Sequence, residues 1–285
     1  MRKQKAPSKG KGVQKVRALI QLLRPVNFLM VAIAVFLFSL AAGGSLRCAI
    51  LAALSAAFVS GAAQAINDYY DYDVDANEKK PRHPLIKYRL PKNYALYVAF
   101  ASYAVGLLFA AFLTPAHIVT AFFAALLTYA YSARMRDKKY LGNALVAFLV
   151  GMSFIYGGLC GNVALSYFPA FLAFLATWAR EVMKDLEDFE ADIGKKTTLP
   201  VIAGKYMSAY FAAYLLILAV FFSVFPGPWG FHIFGRYYYP VVALADLVFI
   251  ASALYVIRGH SREAELSCKA GMILAILAFA AGLLP

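Results

Sequence analysis

Long apolar blocks recur along the whole chain, and they limit what this sequence can fold into. Each is close to the ~20 residues that an α-helix needs to cross the hydrocarbon core of a membrane. The nine blocks are residues 26–43, 48–66, 94–113, 116–131, 141–161, 163–179, 207–225, 238–257 and 266–284. Only 15% of the 285 residues are charged and 62% are hydrophobic, so polar groups are too few to cover a soluble protein of this length. The sequence therefore predicts an all-α, polytopic membrane protein with nine transmembrane helices.

The basic residues predict how these helices are oriented. Of the 28 Lys and Arg residues, 26 fall on one face of a nine-helix topology, and only Arg47 and Arg236 fall on the other. By the positive-inside rule the basic face is cytoplasmic. This topology and the attraction of anionic lipid head groups account for the formal net charge of +13. Membrane lipids are therefore predicted partners, and nucleic acid is not.

The N-terminal region and the cysteines carry two further expectations. Residues 1–17 are basic and polar, and we expect them to be a disordered tail before a single membrane-embedded domain at 18–285. A cleaved signal peptide that ends near Ala41 is the alternative. Cys48, Cys160 and Cys268 show no paired spacing. The sequence therefore predicts neither a disulfide nor a zinc site.

The acidic residues are concentrated at two places in the chain. Of the 15 Asp and Glu residues, 5 lie within residues 68–78 and 6 lie within residues 181–192. Each cluster contains three aspartates spaced i, i+3 and i+7, which places them on one face of a helix. These aspartates are Asp68, Asp71 and Asp75, and, each 117 positions later, Asp185, Asp188 and Asp192. Asn67 adds a side-chain amide to the first cluster.

Clustered carboxylates need a cation to offset their repulsion, which is roughly 3 kcal/mol per pair at ~6 Å and an effective dielectric of ~20. Hard oxygen ligands favour Mg²⁺, which leaves part of its coordination shell for substrate phosphates. The predicted metal ligands are Asn67, Asp68, Asp71, Asp75, Asp185, Asp188 and Asp192. Of these, Asp71, Asp75, Asp188 and Asp192 are predicted to be catalytic. The alternative is a solvated, charged helix end held by neighbouring lysines.

Basic side chains beside the acidic clusters are candidates for binding a diphosphate. Arg82, Lys138 and Lys184 are predicted to contact it, together with Asn67. A prenyl diphosphate joins such a head group to an apolar tail, which suits a site that opens into helices rich in Phe, Tyr and Leu. Dry aromatic walls would exclude water and stabilise an allylic cation. The metal and basic groups would neutralise the leaving diphosphate.

Four stretches of sequence resemble one known family. NDYYDYDVD resembles the NDxxDxxxD motif of the UbiA superfamily of intramembrane prenyltransferases, and DFEAD resembles its DxxxD partner. YSARMRDKKYLGN, residues 131–143, and LRPVN, residues 23–27, resemble the family's loop between helices four and five and its start of helix one. The resemblance implies a bundle of nine helices around a central cavity, two Mg²⁺ ions and a prenyl diphosphate donor.

The same resemblance assigns roles to individual residues. It makes Asn67, Asp71, Asp75, Asp188 and Asp192 the metal and diphosphate residues, with Asp68 and Asp185 as additions to that set. Family members often read PxRP after the first motif, whereas this chain reads Pro81-Arg82-His83-Pro84. Arg82 and His83 are therefore alternative diphosphate contacts.

The predicted acceptor follows from REVMKDLEDFEAD, residues 180–192. This text resembles most the archaeal family members that transfer a geranylgeranyl group to geranylgeranylglyceryl phosphate in ether-lipid synthesis. Arg180, Lys184 and Asn27 are the predicted acceptor-binding residues. An aromatic acceptor of quinone synthesis, such as 4-hydroxybenzoate or a naphthoate, is the alternative.

Two other classes of membrane protein fit less well. A CDP-alcohol phosphotransferase also places aspartates at a membrane boundary, but its DG…AR pattern is absent from this sequence. A transporter for an anion would bind its substrate near the bilayer midplane. The acidic clusters here are predicted at helix ends instead.

Overall fold

The computed structural model describes residues 9–77, 83–135, 139–227, 230 and 232–284, and all of the regular secondary structure in these residues is helical. In chain order the helices are α1 Lys9–Leu22, α2 Pro25–Ala41, α3 Leu46–Asn77, α4 Pro84–Lys87, α5 Asn93–Ala111, α6 Pro115–Ala130, α7 Lys139–Gly158, α8 Ala164–Glu187, α9 Phe189–Asp192, α10 Leu199–Ala203, α11 Lys205–Phe222, α12 Tyr238–Ile257 and α13 Ser261–Gly282. A π-helical turn, Tyr131–Met135, follows α6. The predicted all-α fold is confirmed.

The number of membrane-spanning helices differs from the prediction. Within the described residues, 7 helices are long and apolar enough to cross a membrane. The helical stretch Gly12–Leu22 and α2, bent by 47° at the break between them, form an eighth candidate. α8 has 24 residues but is not among these candidates, because its C-terminal part carries Arg180 and half of the second acidic cluster. The count of nine is therefore not confirmed, whereas the polytopic helical architecture is.

Residues 9–17 are helical, whereas the sequence predicts a disordered tail over residues 1–17. α1 includes residues 9–17, and residues 1–8 lie outside the described part of the chain. The helix stops before Arg24, whose φ of 46° is a left-handed conformation that few residues other than glycine adopt. Pro25 then begins α2, because a proline at the first helical position gives up only an N–H that would lack a helical partner anyway.

The chain divides into two compact units. The first unit comprises Met1–Ala32 and Leu54–Ala133, and the second comprises Ile33–Ala53 and Arg134–Pro285. In the first unit α3 and α5 pack closely through small residues. A Cβ atom at Gly106 would lie 2.8 Å from a methyl carbon of Val59, so only glycine allows this approach. Ser55 Oγ then donates a hydrogen bond to the Gly106 carbonyl at 2.8 Å. Small residues at helix contacts are typical of membrane proteins, where close packing replaces hydrophobic association.

The second unit contains two clusters of buried residues. In one, α8, α11 and α12 meet through Val182, Leu216 and Ala245. In the other, the ring of Phe38 contacts Phe154 and Phe279 edge-on, with ring centroids 4.8 and 5.2 Å apart. Such edge-to-face pairs stabilise beyond the area that they bury. These contacts fix α8, which carries half of the second acidic cluster.

A disulfide joins Cys48 to Cys160 within the second unit, so the prediction of no disulfide is wrong. The two residues are 112 positions apart. Cys48 lies in the first turn of α3, and Cys160 follows the end of α7. A backbone hydrogen bond from Asn162 N to Ala42 O, 2.7 Å long, holds the same two segments together. Sequence spacing could not reveal this pair, because helix packing brings it together.

Candidate active site

The first acidic cluster lies on one continuous helix. α3 runs through to Asn77 without a break, so Asp68, Asp71 and Asp75 follow each other on one face as their spacing predicts. Burial decreases along this face. Asp68 is 4% exposed, whereas Asp71 and Asp75 are only partly buried. The later aspartates are therefore the ones that solvent and solutes can reach.

Asp68 is buried together with a counter-charge. Arg24, in the break between α1 and α2, places Nη2 3.1 Å from Asp68 Oδ1. Asp68 Oδ2 is also buried, but it has no hydrogen-bond partner within the described residues. A buried carboxylate oxygen without a partner is costly unless a cation or a donor completes it. Asp68 thus combines a fixed orientation with one oxygen that is available for a ligand.

His83 is oriented by the same helix. Its ring Nε2 lies 2.9 Å from the Asp68 backbone carbonyl, which can only accept, so Nε2 must carry the hydrogen. The ring is buried and meets the Tyr72 ring edge-on, with centroids 5.6 Å apart. His83 Nδ1 is a second buried polar atom without a hydrogen-bond partner in the described part of the chain. Arg82, the alternative diphosphate contact, lies outside the described residues.

Asn67 is held by a serine that the sequence analysis did not single out. Ser132 Oγ hydrogen-bonds to Asn67 Oδ1 and lies 2.9 Å from the Thr128 carbonyl. Ser132 lies in the π-helical turn Tyr131–Met135, and single turns of this kind are frequent at functional sites. The contact ties the Asn67 side chain to the π-helical turn.

Asp73 is the one aspartate of NDYYDYDVD outside the i, i+3, i+7 series. It is exposed and accepts a hydrogen bond from Lys92 Nζ at 2.7 Å. This hydrogen bond raises the pKa of Lys92 above its ordinary value. Asp73 is thus paired on the surface with Lys92.

The second acidic cluster does not lie on one continuous helix. α8 ends at Glu187, Asp188 is the residue between the helices, and α9 covers only Phe189–Asp192. Asp185 is 1% exposed and Asp192 is 3% exposed, whereas Asp188 faces solvent. The prediction that this cluster also extends one helix face is therefore wrong at Asp188, where the helix is interrupted. Lys196 Nζ lies 3.4 Å from Asp192 Oδ1.

Asp185 receives a hydrogen bond from α7. Asn143 Nδ2 donates to Asp185 Oδ2 at 2.6 Å, and both residues are buried. α7 and α8 approach closely, because a Cβ atom at Gly151 would lie 2.8 Å from the Ala170 carbonyl oxygen. The amide thereby satisfies a carboxylate oxygen that burial has removed from water.

The predicted acceptor residues lie in different environments. Arg180 contacts two carboxylates, with Nη1 2.9 Å from Glu181 Oε1 and Nη2 2.6 Å from Glu265 Oε1. Lys184 is partly exposed, and its Nζ lies 4.0 Å from Glu181 Oε2. Asn27 is partly buried in the first turns of α2. Lys138, a predicted diphosphate contact, lies outside the described residues.

Sequence reasoning missed Arg24, Ser132 and Asn143 as site residues. Each lies in a stretch that the resemblance includes: Arg24 in LRPVN, and the other two at the ends of YSARMRDKKYLGN. The resemblance of those stretches to the family was the signal that could have drawn attention to these residues. Nothing in their composition indicates which residue contacts an aspartate.

The sequence and fold match known proteins over most of the chain. Residues 28–283 match the UbiA prenyltransferase family. Digeranylgeranylglyceryl phosphate synthase from Methanothermobacter thermautotrophicus is 35% identical over 271 residues, which cover 92% of this chain and 95% of that protein. The corresponding enzyme of Thermococcus kodakarensis is 33% identical over 272 residues, 92% of this chain and 96% of that protein.

Solved structures agree with this assignment. A structure described for digeranylgeranylglyceryl phosphate synthase in membranes has a TM-score of 0.75 and 28% identity, covering 94% of this chain and 98% of that one. A UbiA homologue from Archaeoglobus fulgidus bound to DMAPP and Mg²⁺ has a TM-score of 0.64 and 22% identity, covering 93% and 97%. The second likeness is one of fold. This chain is a member of the UbiA prenyltransferase family.

Proposed function

We propose that this chain is a Mg²⁺-dependent prenyltransferase that joins a geranylgeranyl group to geranylgeranylglyceryl phosphate. One observation carries the proposal. In this UbiA family member, Asp68 is buried and paired with Arg24, and the partly exposed Asp71 and Asp75 follow it on the same helix. The acceptor and product are those in the name of the Methanothermobacter thermautotrophicus relative, which aligns along nearly all of both chains. An archaeal ether lipid would be the end product.

The residues present fit a divalent cation. The unpartnered Oδ2 of Asp68 is a hard oxygen in a buried position, and partly buried carboxylates follow it on α3. Oxygen donors of this kind suit Mg²⁺. We propose that two Mg²⁺ ions are held by Asn67, Asp71, Asp75, Asp188 and Asp192. Asp68 and Asp185 would complete or support that set.

The proposed reaction replaces one C–O bond with another. The free hydroxyl oxygen of the acceptor bonds to C1 of the geranylgeranyl group, the bond from C1 to the diphosphate oxygen breaks, and the hydroxyl proton is released. Bound Mg²⁺ would supply Lewis-acid neutralisation of the departing diphosphate. The proposed side-chain contacts to that diphosphate are Arg82, which follows the first acidic cluster in the chain, and Lys138, in the basic stretch of residues 134–139, together with Lys184 and Asn67.

The acceptor phosphate needs a cation near the second cluster. Lys184 is the stronger candidate, because its side chain is 43% exposed and its ion pair with Glu181 is loose, with Nζ 4.0 Å from Oε2. Arg180 is already neutralised by two carboxylates, which makes it a weaker candidate. Asn27 is a proposed hydrogen-bond partner for the acceptor.

We also propose that the acidic clusters lie at the cytoplasmic face. The Lys and Arg residues favour this orientation. The disulfide supports it independently, because Cys48 is in the first turn of α3 and Asp75 is near its last residue. Disulfides persist in oxidising surroundings outside the cytoplasm. The end of α3 opposite Cys48 is then the cytoplasmic one.

A reconstitution with defined substrates tests the function. Purified protein is incubated with geranylgeranyl diphosphate, geranylgeranylglyceryl phosphate and Mg²⁺, and the lipid product is identified by mass spectrometry. We expect the diether phosphate and free diphosphate in equal amounts. Turnover with 4-hydroxybenzoate or a naphthoate instead of the glyceryl lipid would replace the acceptor assignment. No turnover of the prenyl diphosphate with any of these acceptors would refute the proposed function.

A further inference from the structure

We propose that Ser132 and Asn143 are positioning residues, each fixing one polar side chain of the acidic cluster in its own compact unit. Ser132 fixes the Asn67 amide, and Asn143 fixes the Asp185 carboxylate. This inference rests on the proposed function, since it assigns these clusters to Mg²⁺ and diphosphate. It adds two neutral side chains that contact predicted ligands rather than the metal or the diphosphate.

The Asn67 amide has two ends with opposite chemistry. Its oxygen can bind a cation or accept a hydrogen, whereas its nitrogen can only donate. Because Ser132 Oγ hydrogen-bonds to Oδ1, the amide nitrogen points to the other edge of the side chain. Without the hydroxyl, a rotation of about 180° around the last side-chain bond would exchange the two ends at little cost. Ser132 therefore restricts the rotation of a predicted ligand.

The backbone around Ser132 is fixed well enough for this task. Thr128, one turn earlier, accepts or donates a hydrogen bond with the Tyr103 hydroxyl of α5 at 2.8 Å. Ser132 itself is buried, so water does not compete for its hydroxyl. The serine is thus presented to Asn67 from a helix that is tied to α5.

Asn143 performs the corresponding task in the second unit. Asp185 is buried, and a carboxylate there can rotate about its last bond unless a donor holds one oxygen. Asn143 Nδ2 holds Oδ2 at 2.6 Å. Tyr140 N also donates to the Thr197 carbonyl at 3.3 Å, which ties the first turn of α7 to the chain just after the cluster. The start of α7 thus contacts the chain on both sides of Asp188.

The predicted consequence is a loss of metal affinity without loss of fold. Residues that orient metal ligands typically change metal affinity or activity by 10–100-fold when they are removed. We expect Ser132→Ala and Asn143→Leu each to raise the metal concentration for half-saturation by about 10-fold or more. Ser132→Thr keeps the hydroxyl and should recover most of the affinity.

Direct metal binding measures this without turnover. Mn²⁺ replaces Mg²⁺, an unreactive geranylgeranyl thiodiphosphate replaces the donor, and electron paramagnetic resonance separates bound from free Mn²⁺. Two control variants remove side-chain hydrogen bonds elsewhere. Ser55→Ala removes a buried serine bond on the same helix as Asn67, and Asn162→Leu removes an asparagine bond to the Ala164 amide. We expect both controls to bind Mn²⁺ as the wild type does.

The results in these variants distinguish a positioning role from a general structural effect. Wild-type affinity in folded Ser132→Ala and Asn143→Leu, or an equal loss in the controls, would overturn the positioning role. If Asn143→Leu does not fold, Asn143→Ala removes the donating amide without adding bulk or charge, and the same loss is expected. Weakened Mn²⁺ binding in a protein whose wild type makes no ether product would instead refute the proposed function and leave the positioning role supported.

Discussion

Replacing Arg180 by methionine separates two roles for this residue. The sequence predicts that Arg180 binds the acceptor phosphate, whereas the structure pairs it with Glu181 and Glu265 at 2.9 and 2.6 Å. The side chains of Arg180, Glu181 and Glu265 are only 20%, 15% and 14% exposed. Methionine keeps the length and apolar stem but leaves two half-buried carboxylates without their shared cation.

The expected loss of stability is large for one substitution. Removing one partner of a buried ion pair costs about 3–5 kcal/mol, and water that still reaches these groups favours the lower end. At about 2 °C per kcal/mol for a chain of this size, Arg180→Met should lower the Tm by roughly 6 °C. Glu265→Gln should cost about 1 kcal/mol, because Arg180 keeps Glu181 and the amide can still accept. The double variant should lose less than the sum of the two single variants.

Thermal unfolding in one detergent and at one heating rate measures the shift, and the KM for geranylgeranylglyceryl phosphate measures acceptor binding. Glu263→Gln, on the exposed side of the same helix as Glu265, is the control and should change the Tm little. A structural ion pair predicts a lower Tm with an acceptor KM close to that of the wild type. An unchanged Tm with a strongly raised acceptor KM would refute the ion-pair reasoning and restore the phosphate role.

Three further predictions concern the metal and the disulfide. Asp71→Asn and Asp188→Asn should each lower kcat by about 10³-fold, because several kcal/mol of charge stabilisation is lost, and product formation at saturating Mg²⁺ measures this. EDTA should abolish turnover and excess Mg²⁺ should restore it, while Ca²⁺, which prefers longer bonds and more ligands, should restore little. Cys160→Ser should remove about 2–5 kcal/mol of stability by freeing Cys48, visible as a lower Tm that no longer responds to reducing agent. Cys268→Ser keeps the disulfide, so reducing agent should lower its Tm as it does in the wild type.

Features encoded locally in the sequence could be predicted, and features that depend on packing could not. A 20-residue apolar block specifies a membrane helix by its own length, and an i, i+3, i+7 spacing specifies a helix face. The pairs Arg24–Asp68, Asn143–Asp185 and Cys48–Cys160 are 44, 42 and 112 residues apart. Which residues meet at such separations depends on how helices pack, and a single sequence does not record that. The interruption at Asp188 was missed because Glu187 and Phe189 are both compatible with a continuing helix.

The two aspartate triplets have the same spacing and lie 117 positions apart, but their surroundings in the structure differ. The first aspartate of each triplet, Asp68 or Asp185, is buried and held by a side chain from another segment. Beyond that position the triplets differ. α3 continues and leaves Asp71 and Asp75 partly accessible, whereas α8 stops, exposes Asp188 and buries Asp192. The identified partners differ as well, since Arg24 pairs with Asp68 and the Asn143 amide donates a hydrogen bond to Asp185. Two equal sequence patterns therefore yield two different arrangements of carboxylates, with the guanidinium of Arg24 at the first aspartate of one triplet and the ammonium of Lys196 at the last aspartate of the other.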